Sequence, residues 1–251
     1  MKRVGFLGCG KIGGTMLRDL VLSGEHSVAF VQDPFYKKAG EDMFPVVGGM
    51  DEELLANTDL VVEAATSAIL TENISGILKH CDLMIFSVTS FSDEAFYEYA
   101  TALARQYGRK IYLPHGAILG IDGIGDGSRL ISSIKIETTK NPNSLGRADT
   151  ERTVVYEGTT RGACKAYPRN VNVHATVALA GIGFDRTRSA IVSDPAVDTN
   201  SHKITVDGEG IHFEVVVSSF SSGGVTGKYT PYSAVASLHR ILDNKSGFCF
   251  V

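Results

Sequence analysis

The sequence predicts an α/β protein in which a doubly wound parallel sheet is followed by a second domain of α+β type with a mixed sheet. Three observations carry this prediction. Short apolar runs alternate with amphipathic stretches as far as Pro114, and such alternation implies a parallel sheet covered by helices on both faces. Three glycines follow the first apolar run almost at once. After Pro114 the chain becomes glycine-rich and then more β-branched, which marks a change of architecture.

The first half contains five predicted strands and four predicted helices. Met16, Leu17, Leu20 and Val21 recur with helical spacing in the first helix, and Ser92 is the expected N-cap of the fourth. The strands are RVGFL, HSVAFVQD, DLVVEAA, DLMIFSV and KIYLP. The helices are GGTMLRDLVLSG, DEELLAN, TSAILTENISGILKH and SDEAFYEYATALARQYG.

The second half predicts a mixture of strands and helices. Its strands are SSIKIETT, RTVVYEG, KITVDG and IHFEVVVSS, and the last two flank Gly208-Glu209-Gly210 as an antiparallel hairpin would. NVNVHATVALAG predicts a buried helix, and PYSAVASLHRILDN predicts a final amphipathic helix. We therefore expect domains over residues 1–118 and 119–228, with the closing segment 229–251 returning to the first domain.

Composition excludes several classes of function. The 251 residues have a formal net charge of -4, so the chain has no excess of positive charge with which to bind nucleic acid or an anionic membrane. No apolar run approaches the roughly 20 residues that cross a bilayer. The cysteines lack the CxxC spacing of zinc sites, so we expect no metal and a reducing, cytoplasmic location. They are Cys9, Cys81, Cys164 and Cys249.

The glycines after the first strand form a G-x-G-x-x-G pattern, in which Lys11 and Ile12 separate the second and third glycines. Gly8 permits a tight turn, Gly10 lets the backbone approach a pyrophosphate, and Gly13 allows close packing of helix on strand. Asp33 ends the second strand, where a carboxylate can bind the ribose hydroxyls. Residues 1–118 are thus predicted to be a Rossmann domain that binds a dinucleotide.

Asp33 also bears on the choice of dinucleotide. A carboxylate at this position repels a 2′-phosphate, which favours NAD over NADP. Lys37 and Lys38 follow closely and could accommodate that phosphate, so NADP stays possible.

Histidines are the natural candidates for proton transfer, because only imidazole titrates near neutrality unaided. We expect four of them to face solvent: His26, His80, His212 and His239. Three others lie in glycine- or asparagine-rich settings, and the residues alone do not choose among them: His115, His174 and His202.

Three stretches of the second half resemble motifs of the L-aspartate dehydrogenase family. Residues 112–122, YLPHGAILGID, are similar to its "SGAIGGLD" stretch, and PRNVNVHAT is similar to its "P-[KR]-N-x-N-V-A-A-T" helix. NSHKI matches its "N-x-H-x-[IV]" strand. With the glycine loop and VVEAAT, the resemblance extends from one end of the chain to the other.

The resemblance implies an activity and roles for several residues. Members oxidise L-aspartate with NAD or NADP to iminoaspartate, and thence to oxaloacetate and ammonia, which in some organisms serves NAD biosynthesis. They are usually dimers or larger, and their build resembles that of dihydrodipicolinate reductases and homoserine dehydrogenases. The family's catalytic histidine falls on His202. The cofactor contacts fall on Ala117 and Asn172, and we add Ala65 of VVEAAT to them.

The substrate side is where this sequence departs from the family. Arg169 is our first choice for binding a substrate carboxylate, followed by Lys140 and Lys228, and we expect His115 and His174 to line the site. GKYTPYS stands where the family has "N-P-K-T-S", and TTKNPNS replaces a "T-R-K-P" type of sequence. Another amino or imino acid is therefore an alternative substrate. A reductase of imines and a dinucleotide sensor without turnover are the competing functions.

Overall fold

The computed structural model describes residues 1–40, 42–220 and 227–243, and it confirms the predicted fold class with two five-stranded sheets. The first sheet has the order β2-β1-β3-β4-β5, and every pair of neighbours in it is parallel. Its strands are β1 (Arg3–Leu7), β2 (Ser27–Gln32), β3 (Leu60–Glu63), β4 (Asp82–Ile85) and β5 (Ile111–Tyr112). All four residues of β3 are buried, as a central parallel strand requires.

Helices cover both faces of this sheet. They are α1 (Lys11–Ser23), α2 (Glu52–Ala56), α3 (Ser67–His80) and α4 (Glu94–Tyr107). One core lies under α1, and a second lies under α3 and α4. The predicted N-cap of α4 is wrong by one residue. The Asp93 carboxylate accepts the N–H of Phe96 at 3.0 Å, whereas Ser92 ends a preceding 3₁₀ turn and donates to the Thr89 carbonyl.

The second sheet is mixed, with the order β10-β9-β6-β8-β7. Only β6 and β8 run parallel among its neighbours, and the predicted hairpin joins β9 to β10 through Gly210, whose φ is +70°. The strands are β6 (Ile131–Lys140), β7 (Thr153–Thr159), β8 (Arg188–Ser193), β9 (Thr199–Gly208) and β10 (Ile211–Phe220). The helices of this part are α5 (Ile121–Gly127), α6 (Thr160–Ala166) and the buried α7 (Asn172–Ala180).

The last described helix, α8 (Tyr229–Leu242), packs against α1. Ala234 and Leu238 enter the same core as Met16 and Leu17. Residues 244–251 of the closing segment lie outside the described residues. The division of the chain at residues 118 and 228 stays a prediction.

Two histidines at this contact correct the expectation that they are solvated. His26 Nε2 lies 2.9 Å from Asp243 Oδ1, with side chains only 11% and 9% exposed. His239 Nε2 lies 2.7 Å from Asp19 Oδ2. Carboxylates of a neighbouring element hold both rings, which the local sequence could not show. His80 Nε2 is buried as well, whereas His212 is exposed as expected. Within the described ranges, no helix is long and apolar enough to cross a membrane.

Candidate active site

The three glycines of the first loop each have a separate structural reason. Gly8 has a φ of +82°, and a Cβ there would approach the Ala64 carbonyl oxygen to 2.7 Å. A Cβ on Gly13 would collide with the Gly8 carbonyl oxygen. A Cβ on Gly10 would meet no protein atom within 4 Å, so it would extend into open space in front of α1.

That open space has the features of a dinucleotide site. The N-cap of α1 is Gly10, which has no side chain with which to cap the helix, and the backbone N–H groups of a first helical turn point outward along the helix axis. Asp33 Oδ2 accepts the N–H of Cys9 at 2.6 Å, and Oδ1 accepts the N–H of Phe35 at 2.8 Å. The residues present therefore fit a pyrophosphate beside Gly10 and a ribose beside Asp33.

A cleft runs from this loop along the ends of β3 and β4. It is lined by residues that include Lys11, Ile12, Ala65, Ser67, Phe86, Arg169 and Asn172. Asn172, at the start of α7, accepts the N–H of Thr89 at 3.1 Å, which joins the two halves of the chain beside the cleft.

Glu63 braces the loops that form the cleft, and sequence reasoning missed it. Its buried carboxylate accepts hydrogen bonds from Ala65 N at 2.8 Å, Ser87 N at 3.0 Å and Ser87 Oγ at 2.8 Å. Phe86 N donates to it at 3.3 Å. Burial raises the pKa of Glu63, while these hydrogen bonds act in the opposite direction. The sequence signal that could have found Glu63 was the presence of an acidic residue at the end of a strand predicted to be buried.

The cleft continues into an inner cavity of about 120 Å³ between the two sheets. A single buried water needs roughly 10–15 Å³, so the cavity accommodates a small organic molecule. Ile12, Phe86, Arg169 and Asn172 line both spaces. The polar groups added by the inner cavity belong to His115, Lys140, Asn170, Thr176, Asn200, His202, Ser219 and Thr230.

His202 is the histidine most enclosed within the lining. It is 5% exposed, and its Nδ1 lies 2.8 Å from the hydroxyl of Thr138. The register of the second sheet places Thr138 of β6 directly opposite His202 of β9. Burial, and then the charge of Lys140, lowers the pKa of His202 to about 3. The imidazole of the ligand-free protein is therefore neutral at physiological pH.

Two cations face the same cavity. Lys140 is only 2% exposed, and its Nζ donates to Asn170 Oδ1 at 3.3 Å. Burial lowers the pKa of Lys140 to about 8. Arg169 lies in the turn before α7, exposed where cleft and cavity meet.

The structure brings most of the sequence-predicted site residues together. The lining of cleft and cavity includes Lys11, Ile12, Ala65, His115, Ala117, Arg169, Asn172 and His202. His115 lies with its Nδ1 buried and its ring 6.3 Å from that of Tyr229, and burial lowers its pKa.

Two predicted substrate contacts need correction. His174 is completely buried on α7 behind Thr138, so it has no surface with which to touch a substrate. Lys228 is exposed and does not contribute to the lining. Lys140, a secondary choice in the sequence, takes the inner position because β6 carries it into the gap between the sheets. Asn200 also lines the cavity and was not predicted to do so. The sequence signal that could have found it was its place as the asparagine of the N-x-H motif, two residues before His202.

Known proteins match nearly the whole chain. Residues 8–114 match the homoserine dehydrogenase NAD binding domain model, and residues 124–241 match the C-terminal model of aspartate dehydrogenase. The L-aspartate dehydrogenase of Methanosarcina acetivorans is 35% identical over 97% of this chain and 98% of that relative. The L-aspartate dehydrogenase of Thermotoga maritima is 31% identical over 95% of this chain and 96% of that relative.

Solved structures agree with these matches. The crystal structure of aspartate dehydrogenase from Thermotoga maritima has a TM-score of 0.83 at 27% identity, over 99% of this chain and 100% of that one. Dihydrodipicolinate reductase from Paenisporosarcina sp. shares the fold, with a TM-score of 0.54 at 16% identity over 95% of this chain and 92% of that one. The cofactor of this chain is accordingly a nicotinamide dinucleotide.

Proposed function

Because the chain belongs to the L-aspartate dehydrogenase family, we propose that it catalyses the oxidative deamination of L-aspartate, or the reverse reaction, with NAD as the preferred cofactor. In the forward direction L-aspartate, water and the oxidised dinucleotide give oxaloacetate, ammonium, the reduced dinucleotide and one proton.

One observation carries the proposal for the substrate. The cavity that continues from the dinucleotide cleft holds a buried neutral imidazole, His202, together with two cations, Lys140 and Arg169. L-aspartate carries two carboxylates, and each cation can bind one by charge-assisted hydrogen bonds. Such binding fixes the orientation of the amino acid, and with it the position of Cα and the amino group.

His202 is the group proposed to move the proton. A nicotinamide dinucleotide held in the cleft would supply the acceptor for the hydride that leaves Cα. The amino group must first be neutral, since an ammonium nitrogen has no lone pair to stabilise the forming iminium. His202 accepts that proton and releases it to solvent, as the overall reaction requires. The neutral imidazole then accepts a proton from the water that adds to the imine carbon and returns it to the departing ammonia.

Substrate binding also adjusts the basicity of this imidazole. Lys140 contributes to the low pKa of His202 in the ligand-free protein. A carboxylate bound to Lys140 would offset that charge, whereas the ammonium group of the substrate would act on His202 in the same direction as Lys140. Burial remains the larger cause of the low pKa.

The preference for NAD rests on Asp33. Its carboxylate lies at the end of β2 beside the glycine loop, where a 2′-phosphate would meet a negative charge. Lys37 and Lys38 are exposed just beyond it and support NADP as the second choice.

Assembly and location complete the proposal. We propose a homodimer or larger homo-oligomer, supported by the ten-residue edge strand β10, which exposes Val216 and Phe220. Light scattering coupled to gel filtration measures the mass of the assembly. Free thiols at Cys9, Cys81 and Cys164 support a reducing, cytoplasmic location.

Absorbance at 340 nm tests the activity directly. The purified protein is incubated with L-aspartate or other amino acids and either NAD or NADP, and also with oxaloacetate, ammonium and the reduced cofactors. We expect turnover with L-aspartate above all other amino acids. Turnover of a different amine alone would replace the proposed substrate, and tight NADH binding with no turnover of any amine would support the sensor.

A further inference from the structure

A chain of buried hydroxyl groups and imidazoles runs from the candidate active site into the second sheet. Thr138 Oγ1 lies 2.8 Å from His202 Nδ1 and 2.6 Å from His174 Nε2. His174 Nδ1 lies 2.9 Å from Ser189 Oγ, and Ser189 Oγ lies 2.7 Å from Thr160 Oγ1. Beyond His202 no member is more than 1% exposed.

The far end of this chain is anchored at a group that can only accept. Thr160 Oγ1 lies 3.1 Å from the backbone carbonyl oxygen of Thr187. A carbonyl oxygen has no proton, so Thr160 must donate to it. The single hydroxyl proton of Thr160 is then used, and Ser189 must in turn donate to Thr160.

The remaining directions follow one from another. Since Ser189 donates to Thr160, it accepts from His174, whose proton is therefore on Nδ1. His174 Nε2 then accepts a hydrogen bond from the hydroxyl of Thr138. The Thr138 oxygen finally accepts a hydrogen bond from Nδ1 of His202, so the proton of that ring must be on Nδ1.

We propose that Thr138, His174, Ser189 and Thr160 are positioning residues that hold His202 in the tautomer with its proton on Nδ1 and its lone pair on Nε2. This inference rests on the proposed function, in which His202 accepts a proton from the substrate. Nδ1 is occupied by Thr138, so Nε2 is the nitrogen left for the substrate. In the other tautomer Nε2 would carry a proton and could not act as a base.

The protonation states of the two rings agree with this arrangement. Burial lowers the pKa of His174 well below its ordinary value, and burial together with Lys140 lowers that of His202. Both rings are therefore neutral, with one proton each. With the proposed directions, each O–H or N–H group of the chain donates one hydrogen bond, and no two donors face each other.

The tautomer can be measured without substrate by ¹⁵N NMR of histidine-labelled protein, since protonated and unprotonated ring nitrogens have different shifts. The His202 signals are assigned by their loss in His202→Ala. We expect a protonated Nδ1 and an unprotonated Nε2 in the wild type. A proton on Nε2 in the wild type would overturn the proposal.

Thr138→Val tests the link that contacts His202, because it removes the hydroxyl and keeps the shape. We expect a shift of the His202 population towards the Nε2–H tautomer and a fall in kcat on the order of 10²-fold. The dissociation constant of NADH should stay unchanged. Thr138→Ser restores a hydroxyl and should recover both the tautomer and kcat.

Thr58→Val is the matched control, because the buried hydroxyl of Thr58 donates to the Leu54 carbonyl in the first half of the chain. If His202 in Thr138→Val had the same tautomer as in the wild type, and if Thr138→Val had the same kcat as Thr58→Val, the positioning role would be refuted. Failure of the proposed function is distinguishable, since the wild type would then lack aspartate turnover whatever tautomer NMR shows.

Discussion

The carboxylate of Asp33 and the backbone amide of Cys9 are joined by a hydrogen bond of 2.6 Å, which fastens the end of β2 to the glycine loop. Asp33 also accepts the N–H of Phe35 at 2.8 Å, so both of its oxygens order the backbone around the cleft. The residue thus has two separable contributions, its negative charge and its support of the loop.

Changing Asp33 should separate these contributions. Asp33→Asn removes the charge and keeps one acceptor oxygen, so we expect the preference for NAD over NADP to fall by about tenfold, or about 1.4 kcal/mol. Asp33→Ala also removes the support, and it should weaken the binding of both cofactors. Fluorescence titration with NADH and NADPH measures both effects. An unchanged NAD/NADP ratio in both variants would contradict the ribose contact.

Gly10→Ala tests where the pyrophosphate binds. The new methyl group would meet no protein atom within 4 Å, but Gly10 is the N-cap of α1, where alanine is less favourable than glycine, so we expect the free energy of unfolding to fall by less than about 1 kcal/mol. Cofactor affinity should fall by about tenfold or more, since the methyl group would occupy the space of the phosphates. Gly123→Ala in α5 is the control, because its methyl group also enters open space. Equal NADH affinity in the two variants would place the phosphates elsewhere.

His202→Ala tests the proposed base. We expect kcat to fall by about 10²–10⁴-fold, the usual contribution of a general base. The affinity for NADH should be retained, and a retained affinity also shows that the variant is folded. Steady-state kinetics and NADH titration on the same preparation provide both numbers. Activity equal to that of the wild type would remove His202 from the mechanism.

Lys140→Met tests the inner carboxylate site. Loss of the buried cation should raise KM for L-aspartate by about tenfold or more and leave NADH affinity unchanged. Lys135→Met on the same strand is the control, since Lys135 is exposed and pairs with Glu157 at 3.2 Å. The same KM in both variants would mean that Lys140 does not bind the substrate.

The same variant should change the pH dependence of stability. The pKa of Lys140 is lowered from 10.5 to about 8 in the folded protein, so burial disfavours its charged form below pH 8. Between about pH 8 and 10.5 the folded form loses this proton while the unfolded form keeps it, so stability rises with pH. Lys140→Met should lack that rise and be more stable at pH 7, by up to about 3 kcal/mol. Urea unfolding at pH 7 and pH 10 compares the two proteins.

Glu63→Gln tests the brace of the cleft. An amide has only one acceptor oxygen. Its NH₂ group would face N–H groups whose hydrogen bonds the Glu63 carboxylate now accepts, so donor would meet donor. We expect a loss of about 1–3 kcal/mol in the free energy of unfolding and weaker cofactor binding. Glu53→Gln, on the exposed face of α2, is the control for removal of a charge. If Glu63→Gln and Glu53→Gln unfold at the same urea concentration, the brace is unimportant.

Local patterns in the sequence were sufficient for much of the fold. Alternating strands and helices predicted the parallel sheet, and the glycine loop with Asp33 predicted the cleft, because turns, helix starts and strand ends depend on neighbouring residues. The predictions that Ser92 is the N-cap of α4 and that His26 and His239 face solvent were wrong. Those features depend on which residue ends a 3₁₀ turn and on carboxylates from distant elements.

The sequence by itself determined the dinucleotide-binding turn and selected His202, through the resemblance of NSHKI to a family motif. Only the tertiary structure decided what surrounds that imidazole. Pairing of β6 with β9 sets Thr138 opposite His202, and the packing of α7 buries His174 behind it. The gap between the sheets encloses Lys140 and leaves Lys228 outside. Burial and strand register arise from contacts between residues far apart in the chain, which no local pattern specifies.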